Sequence, residues 1–142
     1  MYRGDNVPDG CYYLTVIVWI QNSKEKYLLQ QASKTKGGMF GTTGGHPVFG
    51  QSSVKGIQTE VEEELGLNIS CKEFKLLKTV KTIDDFVDVY LLTKDFSTAD
   101  CILQKEEVSA VKWFSLNGMR EIIEKGVFNK EYVSLFPPAI RL

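Results

Sequence analysis

The segment from Ser52 to Leu65 constrains the fold most, because it has the pattern of one amphipathic helix in a chain otherwise rich in strand-like segments. Its apolar residues recur at helical spacing and fall within an arc of roughly 80° on a helical wheel: Val54, Ile57, Val61 and Leu65. Ser52 or Ser53 suits the N-cap, and Gly66 suits the left-handed position that closes a helix. The pattern therefore predicts a helix whose narrow apolar face packs on other apolar elements.

Strand-like segments flank this helix on both sides. Runs rich in β-branched and aromatic residues predict strands at residues 11–20, 27–32, 42–46, 72–82, 86–93 and 108–115. Residues 72–82 and 86–93 are expected to form a hairpin, residues 33–41 a loop, and residues 116–125 a second helix. We expect the apolar tail, residues 127–142, to fold over the core. The order predicts a single α/β domain over residues 1–142, with helices on the faces of a mixed sheet.

Composition excludes several classes of function. The net charge of −1 gives no global attraction to nucleic acid or to an anionic membrane, and no apolar run is long enough to span a bilayer. Three cysteines, an odd number with no C-x-x-C spacing, argue against a disulfide framework or a zinc site. We interpret them as buried or half-buried thiols in a reducing cytoplasm. The sequence leaves a homodimer open.

The helix carries a cluster of carboxylates. Glu60, Glu63 and Glu64 share one arc beside the apolar stripe, whereas Glu62 points elsewhere and Lys55 lies on the Glu62 side. Like charges at these spacings destabilise a helix by a few tenths of a kcal/mol per pair, and the helix dipole disfavours anions at its C-terminal half. Two interpretations follow: a solvated acidic face, or a binding site for a divalent cation such as Mg²⁺, which prefers oxygen ligands.

The residues around the cluster resemble the signature of the Nudix hydrolases. That signature runs Gly, five residues, Glu, seven residues, Arg-Glu, an aliphatic, any residue, Glu-Glu, any residue, Gly, an aliphatic. Seven of its nine defined positions match without insertion or deletion: Gly45, Glu60, Val61, Glu63, Glu64, Gly66 and Leu67. The resemblance covers nearly the whole chain and implies a Nudix-type α/β/α sandwich with a central mixed sheet.

The resemblance also implies an activity and a site. The expected reaction is hydrolysis of a diphosphate bond in a nucleoside diphosphate linked to another moiety, assisted by Mg²⁺ or Mn²⁺. Glu60, Glu63 and Glu64 match the metal-binding glutamates, and the carbonyl of Gly45 matches a backbone ligand of the metal. Glu60 and Glu63 are thereby candidate catalytic residues. Glu107, in a loop before a predicted strand, is a candidate general base beside Glu106. The structural alternative is that these two glutamates are solvated loop charges.

Two positions depart from the signature. Gln51 stands where the family has glutamate, and Thr59 stands where it has arginine, so an ion pair that would orient Glu63 is lost. Gly56 inside the helix costs a further ~1 kcal/mol relative to alanine. These departures imply either a slower hydrolase or, as the alternative, a Nudix-fold module that binds a nucleotide-like ligand without cleaving it.

The substrate is the least constrained prediction. Lys34 and Lys36 are candidate contacts for the substrate phosphates, and Phe40 is a candidate for stacking on a base; solubilising lysines and a core aromatic are the structural alternatives. Gly45-His46-Pro47 also resembles a stretch of isopentenyl-diphosphate isomerase. There a catalytic cysteine precedes these residues, whereas Gly44 stands here. Isomerase chemistry therefore lacks its proton-transfer group, and His46 is either a metal ligand or a locally hydrogen-bonded loop residue.

Overall fold

A computed structural model describes residues 13–83 and 85–136. The strands are β1 (Tyr13–Gln21), β2 (Tyr27–Ala32), β3 (Phe40–Gly41), β4 (Thr43–Gly45), β5 (Phe74–Lys81), β6 (Asp85–Thr93) and β7 (Val108–Phe114). The α-helices are α1 (Ser53–Leu65) and α2 (Leu116–Glu124), and short 3₁₀ helices include Lys34–Lys36, Thr98–Asp100 and Lys130–Leu135. None of the helices in the described ranges is long and apolar enough to cross a membrane.

The strands form one mixed sheet centred on β1. Along one edge β1 pairs in parallel with β6 over its whole length, and β6 continues as an antiparallel hairpin with β5. Along the other edge β1 pairs antiparallel, first with β4 and then with the start of β2. The remainder of β2 holds β3 on one side, and β7 runs along its other side. The mixed sheet expected from the sequence is confirmed.

Alternating side chains of β1 enter two separate cores, as the period of two in a strand requires. Val16, Val18 and Ile20 pack with α1, whereas Ile17 and Trp19 pack on the opposite face with α2 and the C-terminal segment. One helix therefore covers each face of the sheet. This three-layer α/β/α arrangement is the sandwich that the resemblance implied.

Helix α1 begins and ends where the sequence predicts. The hydroxyl of Ser52 accepts a hydrogen bond from the Lys55 amide, and Gly66 closes the helix with φ at 68°. Ile57, Val61 and Leu65 are fully buried against the sheet, and burial of such a side chain contributes about 1.5–3 kcal/mol. Packing on this apolar face therefore fixes the side of α1 on which the glutamates lie.

The helix glycine, Gly56, is explained by a close approach. A Cβ atom at Gly56 would lie 2.6 Å from Cγ and 2.9 Å from Cβ of Pro47. The missing side chain lets the β4–α1 connection pack directly on the helix. The cost in helix propensity noted from the sequence therefore accompanies a contact that positions the loop after Gly45.

Several smaller features differ from the predictions. Phe40–Gly41 forms strand β3 instead of part of a loop, because β2 extends past its pairing with β1 and offers a vacant edge. Residues 94–104, which we expect from the sequence to form an irregular connection, contain a 3₁₀ turn, Thr98–Asp100. The hairpin, the second helix and the buried tail residues Phe128 and Phe136 agree with the predictions. Cys71 and Cys101 are unpaired and half-buried; Cys11, Asp84 and residues 137–142 lie outside the described ranges.

Candidate active site

The glutamates of α1 face a cavity of about 300 Å³ beside the end of β4. We call it the acidic cavity, and it is lined mainly by the following residues: Gly45, His46, Glu60, Glu63, Glu64 and Glu107. Four of these carry carboxyl groups, and no lysine or arginine is among the described residues that line it. The structure thus brings together the four glutamates and the glycine that the sequence singled out.

Glu64 is the buried member of the cluster, with 8% of its surface exposed. Its Oε1 accepts a hydrogen bond of 2.8 Å from Nε2 of Gln30, whose own Oε1 accepts one of 2.7 Å from the Thr43 hydroxyl. Burial raises the pKa of the Glu64 carboxyl to about 8; the Gln30 hydrogen bond opposes this rise, and the neighbouring Glu60 carboxyl adds to it. Gln30 and Thr43 therefore position the Glu64 carboxyl group, whose ionised form is disfavoured by burial.

Glu60 lies against the backbone of Gly45. Any Cβ atom at Gly45 would collide with the Glu60 carboxyl, with Oε2 only 2.7 Å away. Glu60 also makes a side-chain hydrogen bond with Glu64, and this contact adds to the rise in the pKa of the Glu64 carboxyl. A glycine at position 45 is therefore required for close contact between strand β4 and the carboxylates of α1.

The donor set fits a hard divalent cation without forming a finished ligand shell. In residues 13–83 and 85–136, no three Asp, Glu, His or Cys side chains converge as a complete metal site. Mg²⁺ commonly uses only one or two carboxylates together with water and substrate phosphates, so a complete protein ligand shell is not required. The carboxylate-rich lining and the close approach of Glu60 to Gly45 are the features that match such an ion.

The loop at residues 101–107 is fastened to the end of α1. The amides of Ile102 and Gln104 donate to the carbonyls of Leu65 and Glu64 at 2.9 and 3.1 Å, which satisfies groups that a helix end leaves unpaired. The Glu107 side chain thereby reaches the acidic cavity. Glu106 is held differently, since its carbonyl accepts from the Ser33 hydroxyl at 2.9 Å and its side chain does not line the cavity.

The three candidate substrate residues take different positions. Lys36 pairs with Glu107, with 3.4 Å between Nζ and Oε1, and lines a smaller cavity of about 170 Å³ next to the loop. Phe40 lines the same small cavity, but its ring packs edge-on to Phe114 at 5.3 Å in the core under α2. Lys34 is exposed and lines neither this cavity nor the acidic one. Lys36 is therefore the candidate that directly contacts a glutamate of the acidic cavity.

His46 is fixed by the start of β1. Its Nδ1 lies 3.1 Å from the Leu14 carbonyl and 3.3 Å from the Thr15 hydroxyl. Thr15 donates its own hydrogen to Oδ2 of Asp85 at 2.7 Å, and a carbonyl can only accept, so Nδ1 of His46 carries a proton. The sequence missed Gln30, Thr43 and Thr15 because each looks like an ordinary strand residue; only the three-dimensional pairing shows their roles.

Comparison with known proteins agrees with this geometry. The NUDIX domain model matches residues 12–136. An uncharacterised Nudix hydrolase of Listeria monocytogenes is 28% identical over 130 residues, which is 89% of this chain and 77% of that protein. A Deinococcus radiodurans protein of known crystal structure superposes with a TM-score of 0.74 at 19% identity, covering 95% of this chain and 87% of its own.

A bifunctional NMN adenylyltransferase/ADP-ribose pyrophosphatase of Francisella tularensis, solved with AMP and a manganese ion, shares the fold. Its TM-score is 0.70 at 16% identity, covering 91% of this chain and 41% of that one. The family match spans nearly all of the chain and includes the glycine, the helix and the glutamates described above. This chain therefore belongs to the Nudix family and is a Nudix-type pyrophosphohydrolase.

Proposed function

We propose that this enzyme uses Mg²⁺ or Mn²⁺ to hydrolyse the diphosphate bond of a nucleoside diphosphate linked to another moiety. The observation that carries the proposal is the acidic cavity, in which four glutamates face one another without a lining lysine or arginine. The carboxylates of such a cavity repel the negative charges of a diphosphate. A cation must therefore be bound first, because its attraction to both groups at close range offsets their repulsion and their desolvation. Residues 1–142 would act as a single Nudix domain.

The metal would be held by Glu60, Glu63 and Glu64 with the carbonyl of Gly45. A divalent cation bound there supplies charge screening for the phosphates and acidifies a water molecule. Gln30 keeps the Glu64 carboxyl directed into the cavity at 2.8 Å, and the contact of Glu60 with Gly45 sets the width of the site. The chain's own residues thus determine where the ion and the diphosphate meet.

Two carboxylates are the candidate bases: Glu63, which is also a proposed metal ligand, and Glu107. Glu63 is exposed, and Glu107 faces it from the loop, so both lie where a water can give up its proton. The oxygen of that water forms a bond to phosphorus, the bond from phosphorus to the bridging oxygen breaks, and the glutamate holds the proton. Lys36 beside Glu107, and Lys34 further out, would contact the phosphates, with Phe40 supporting the same loop.

The test is hydrolysis of a panel of substrates with Mg²⁺ or Mn²⁺, comparing the parent with Glu63→Gln, Glu107→Gln and Glu62→Gln. The panel starts from ADP-ribose, because a structural relative is named for that substrate, and adds UDP-glucose and ADP-glucose. Glu62→Gln is the matched control, since it removes the same charge from an exposed position outside the acidic cavity. We expect the variant of the general base to lose about 10²–10⁴-fold in kcat, with the control unchanged.

Equal rates for Glu63→Gln, Glu107→Gln and the control would contradict the proposed roles. One observation favours the second candidate, a ligand-binding module: Gln51 and Thr59 form a neutral pair in place of charged residues. That reading requires ligand binding that depends on Mg²⁺ together with no product from any substrate of the panel. The unpaired thiols Cys71 and Cys101 suit the reducing cytoplasm in which we expect the enzyme to work.

A further inference from the structure

Glu64 is held in the acidic cavity at both its main chain and its side chain. The amide of Gln104 donates a hydrogen bond of 3.1 Å to its carbonyl, and Nε2 of Gln30 donates one of 2.8 Å to its Oε1. Only 8% of the surface of Glu64 is exposed, whereas the neighbouring Glu63 is an exposed residue. The fold itself therefore fixes the position of the Glu64 carboxyl group.

The glutamine that holds Glu64 is fixed in its turn. Its strand, β2, pairs at this position with Gly41 on one side and with Val111 on the other, so the Gln30 backbone lies within the sheet. Oε1 of Gln30 accepts a hydrogen bond of 2.7 Å from the hydroxyl of Thr43, which is buried in β4. If the amide turned over, its oxygen would face an acceptor oxygen of Glu64 and the hydrogen bond would be lost. Thr43 therefore favours the orientation in which Gln30 donates to Glu64.

The hydrogen bond from Gln30 affects how Glu64 can bind a cation. A carboxylate coordinates a metal ion through one oxygen or through both. Coordination through Oε1 of Glu64 competes with the hydrogen bond from Gln30, whereas coordination through Oε2 does not. The contact with Gln30 therefore favours coordination by a single oxygen of this glutamate.

Divalent cations differ in how much this restriction costs them. Mg²⁺ requires near-ideal octahedral geometry and is commonly bound by one or two carboxylates, and Mn²⁺ suits the same octahedral oxygen environment. Ca²⁺ takes roughly six to eight oxygen ligands in flexible geometry and readily binds a carboxylate through both oxygens. A buried glutamate that offers one oxygen therefore disfavours Ca²⁺ more than it disfavours Mg²⁺ or Mn²⁺.

We propose that Gln30 and Thr43 determine the specificity of the metal site, because they limit Glu64 to one coordinating oxygen and so favour Mg²⁺ and Mn²⁺ over Ca²⁺. The assignment rests on the proposed function, which places a divalent cation at the glutamates of α1. Gln30 and Thr43 are positioning residues that act through Glu64. Side chains that hydrogen-bond a metal ligand commonly change metal affinity by about 10–100-fold.

The test is isothermal titration of the metal-free protein with manganese chloride and with calcium chloride at the same pH. The measured quantity is the Kd for Ca²⁺ divided by the Kd for Mn²⁺, because a loss of affinity that is common to both ions cancels in this ratio. Gln30→Leu removes the donor to Glu64 and keeps a side chain of similar size. We expect the ratio to fall about tenfold or more, since the freed Oε1 can then coordinate Ca²⁺.

The neighbouring position on β2 supplies a matched control. The side-chain amide of Gln31 donates to the Gly38 carbonyl at 3.0 Å, and both glutamines are half-buried. Gln31→Leu therefore makes the same chemical change on the same strand without affecting the hydrogen bond to Glu64. We expect this variant to keep the ratio of the parent.

Two substitutions of Thr43 separate its hydroxyl group from its packing. Thr43→Val keeps the shape of the side chain without the donor, and we expect it to lower the ratio by less than Gln30→Leu does. Thr43→Ser keeps the donor and is expected to restore the ratio of the parent. Thr43→Val should add no further change to Gln30→Leu, because Thr43 acts through the Gln30 amide. Circular dichroism checks the fold, and the Thr43 pair provides the test if Gln30→Leu does not fold.

Two results would overturn the assignment: a parent-like ratio in Gln30→Leu, and an equal fall of the ratio in Gln30→Leu and Gln31→Leu. A parent-like ratio in Thr43→Val would remove Thr43 from it. The titration contains no substrate, so the outcome is separable from the proposed function. A ratio that depends on Gln30, without hydrolysis of any substrate, would contradict the reaction alone. Metal-dependent hydrolysis with a ratio indifferent to Gln30→Leu would contradict the selectivity alone, and a parent that takes up no Mn²⁺ would contradict both.

Discussion

The side-chain amide of Gln51 donates a hydrogen bond of 2.9 Å to the hydroxyl of Thr59, which in turn donates to the Lys55 carbonyl at 2.9 Å. These are the two positions at which the chain departs from the Nudix signature. The two departures are therefore in contact, and a neutral pair occupies the place of two opposite charges. They therefore form one coupled change in the contact between α1 and the loop that precedes it.

A double-mutant cycle tests this linkage. Gln51→Glu alone places a carboxylate beside the Thr59 hydroxyl, which already donates its hydrogen to the Lys55 carbonyl. Thr59→Arg alone places a guanidinium beside the neutral side-chain amide of Gln51. We expect each single variant to unfold at lower urea concentration, and the double variant to recover about 0.5–1 kcal/mol through its new ion pair. The double variant is also expected to hydrolyse substrate faster than the parent. Additive effects on stability would show that the two positions are independent.

The raised pKa of Glu64 predicts how stability depends on pH. The folded chain keeps a proton on Glu64 up to about pH 8, whereas the unfolded chain releases it near 4.5. The folded state thus binds more protons in this window, and stability present below pH 4.5 is lost as the pH rises to 8. In EDTA, the melting temperature is expected to fall from pH 5 to pH 8. Glu64→Gln should flatten this slope, and a slope unchanged in that variant would assign it to other groups.

Mg²⁺ is expected to oppose this pH dependence, because a cation bound at the Glu64 carboxyl replaces the proton that its raised pKa retains. The rise in melting temperature on adding Mg²⁺ should be larger at pH 8 than at pH 5.5. Thermal denaturation at both pH values, with and without the ion, measures the difference. A rise of equal size at the two pH values would mean that metal uptake releases no proton here.

Gly45→Ala is expected to weaken metal binding while the fold persists. The added methyl group must displace the Glu60 carboxyl, whose Oε2 lies 2.7 Å from the position of the new carbon. We expect at least a tenfold higher Kd for Mn²⁺, by analogy with the loss of one well-placed charged contact. Isothermal titration gives the Kd, and circular dichroism checks the fold. Parent-like affinity for Mn²⁺ would show that Glu60 can move without consequence.

The two helix glycines should respond in opposite ways to alanine. Gly56→Ala brings a carbon to 2.6 Å from Cγ of Pro47, so the lost packing outweighs the gain of ~1 kcal/mol in helix propensity. Gly118→Ala in α2 meets its nearest atom, Cδ1 of Phe114, at 3.3 Å and retains most of that gain. The melting temperature is therefore expected to fall for Gly56→Ala and not for Gly118→Ala. The reverse order would exclude the Pro47 contact as the reason for the glycine.

Patterns within single elements were sufficient to predict much of the fold. The stripe of Ile57, Val61 and Leu65 marks one side of α1, and the cap residues Ser52 and Gly66 mark its ends. Strand β3 was missed because Phe40–Gly41 is too short to show a period and exists only through its pairing with β2.

The site was predictable only in part for the same reason. Glu60, Glu63 and Glu64 share one helix, so their spacing alone places them together. Gln30 contacts Glu64, which lies 34 residues away in the sequence, and Asp85 contacts Thr15, which lies 70 residues away. No local sequence pattern indicates such contacts. The placement of Glu107 depends likewise on a loop whose course is set by backbone hydrogen bonds to another element.

That loop has a consequence for how the chain tolerates change in length. The amides of Ile102 and Gln104 are registered on the last carbonyls of α1, so one residue added or removed between Ile102 and Glu107 would swing the glutamate away from the cavity. Residues 96–101 make no backbone hydrogen bond to α1, so an added residue there would leave the register of Ile102 and Gln104 on α1 unchanged. We therefore expect changes in the length of the chain to be tolerated upstream of Ile102 and not between Ile102 and Glu107.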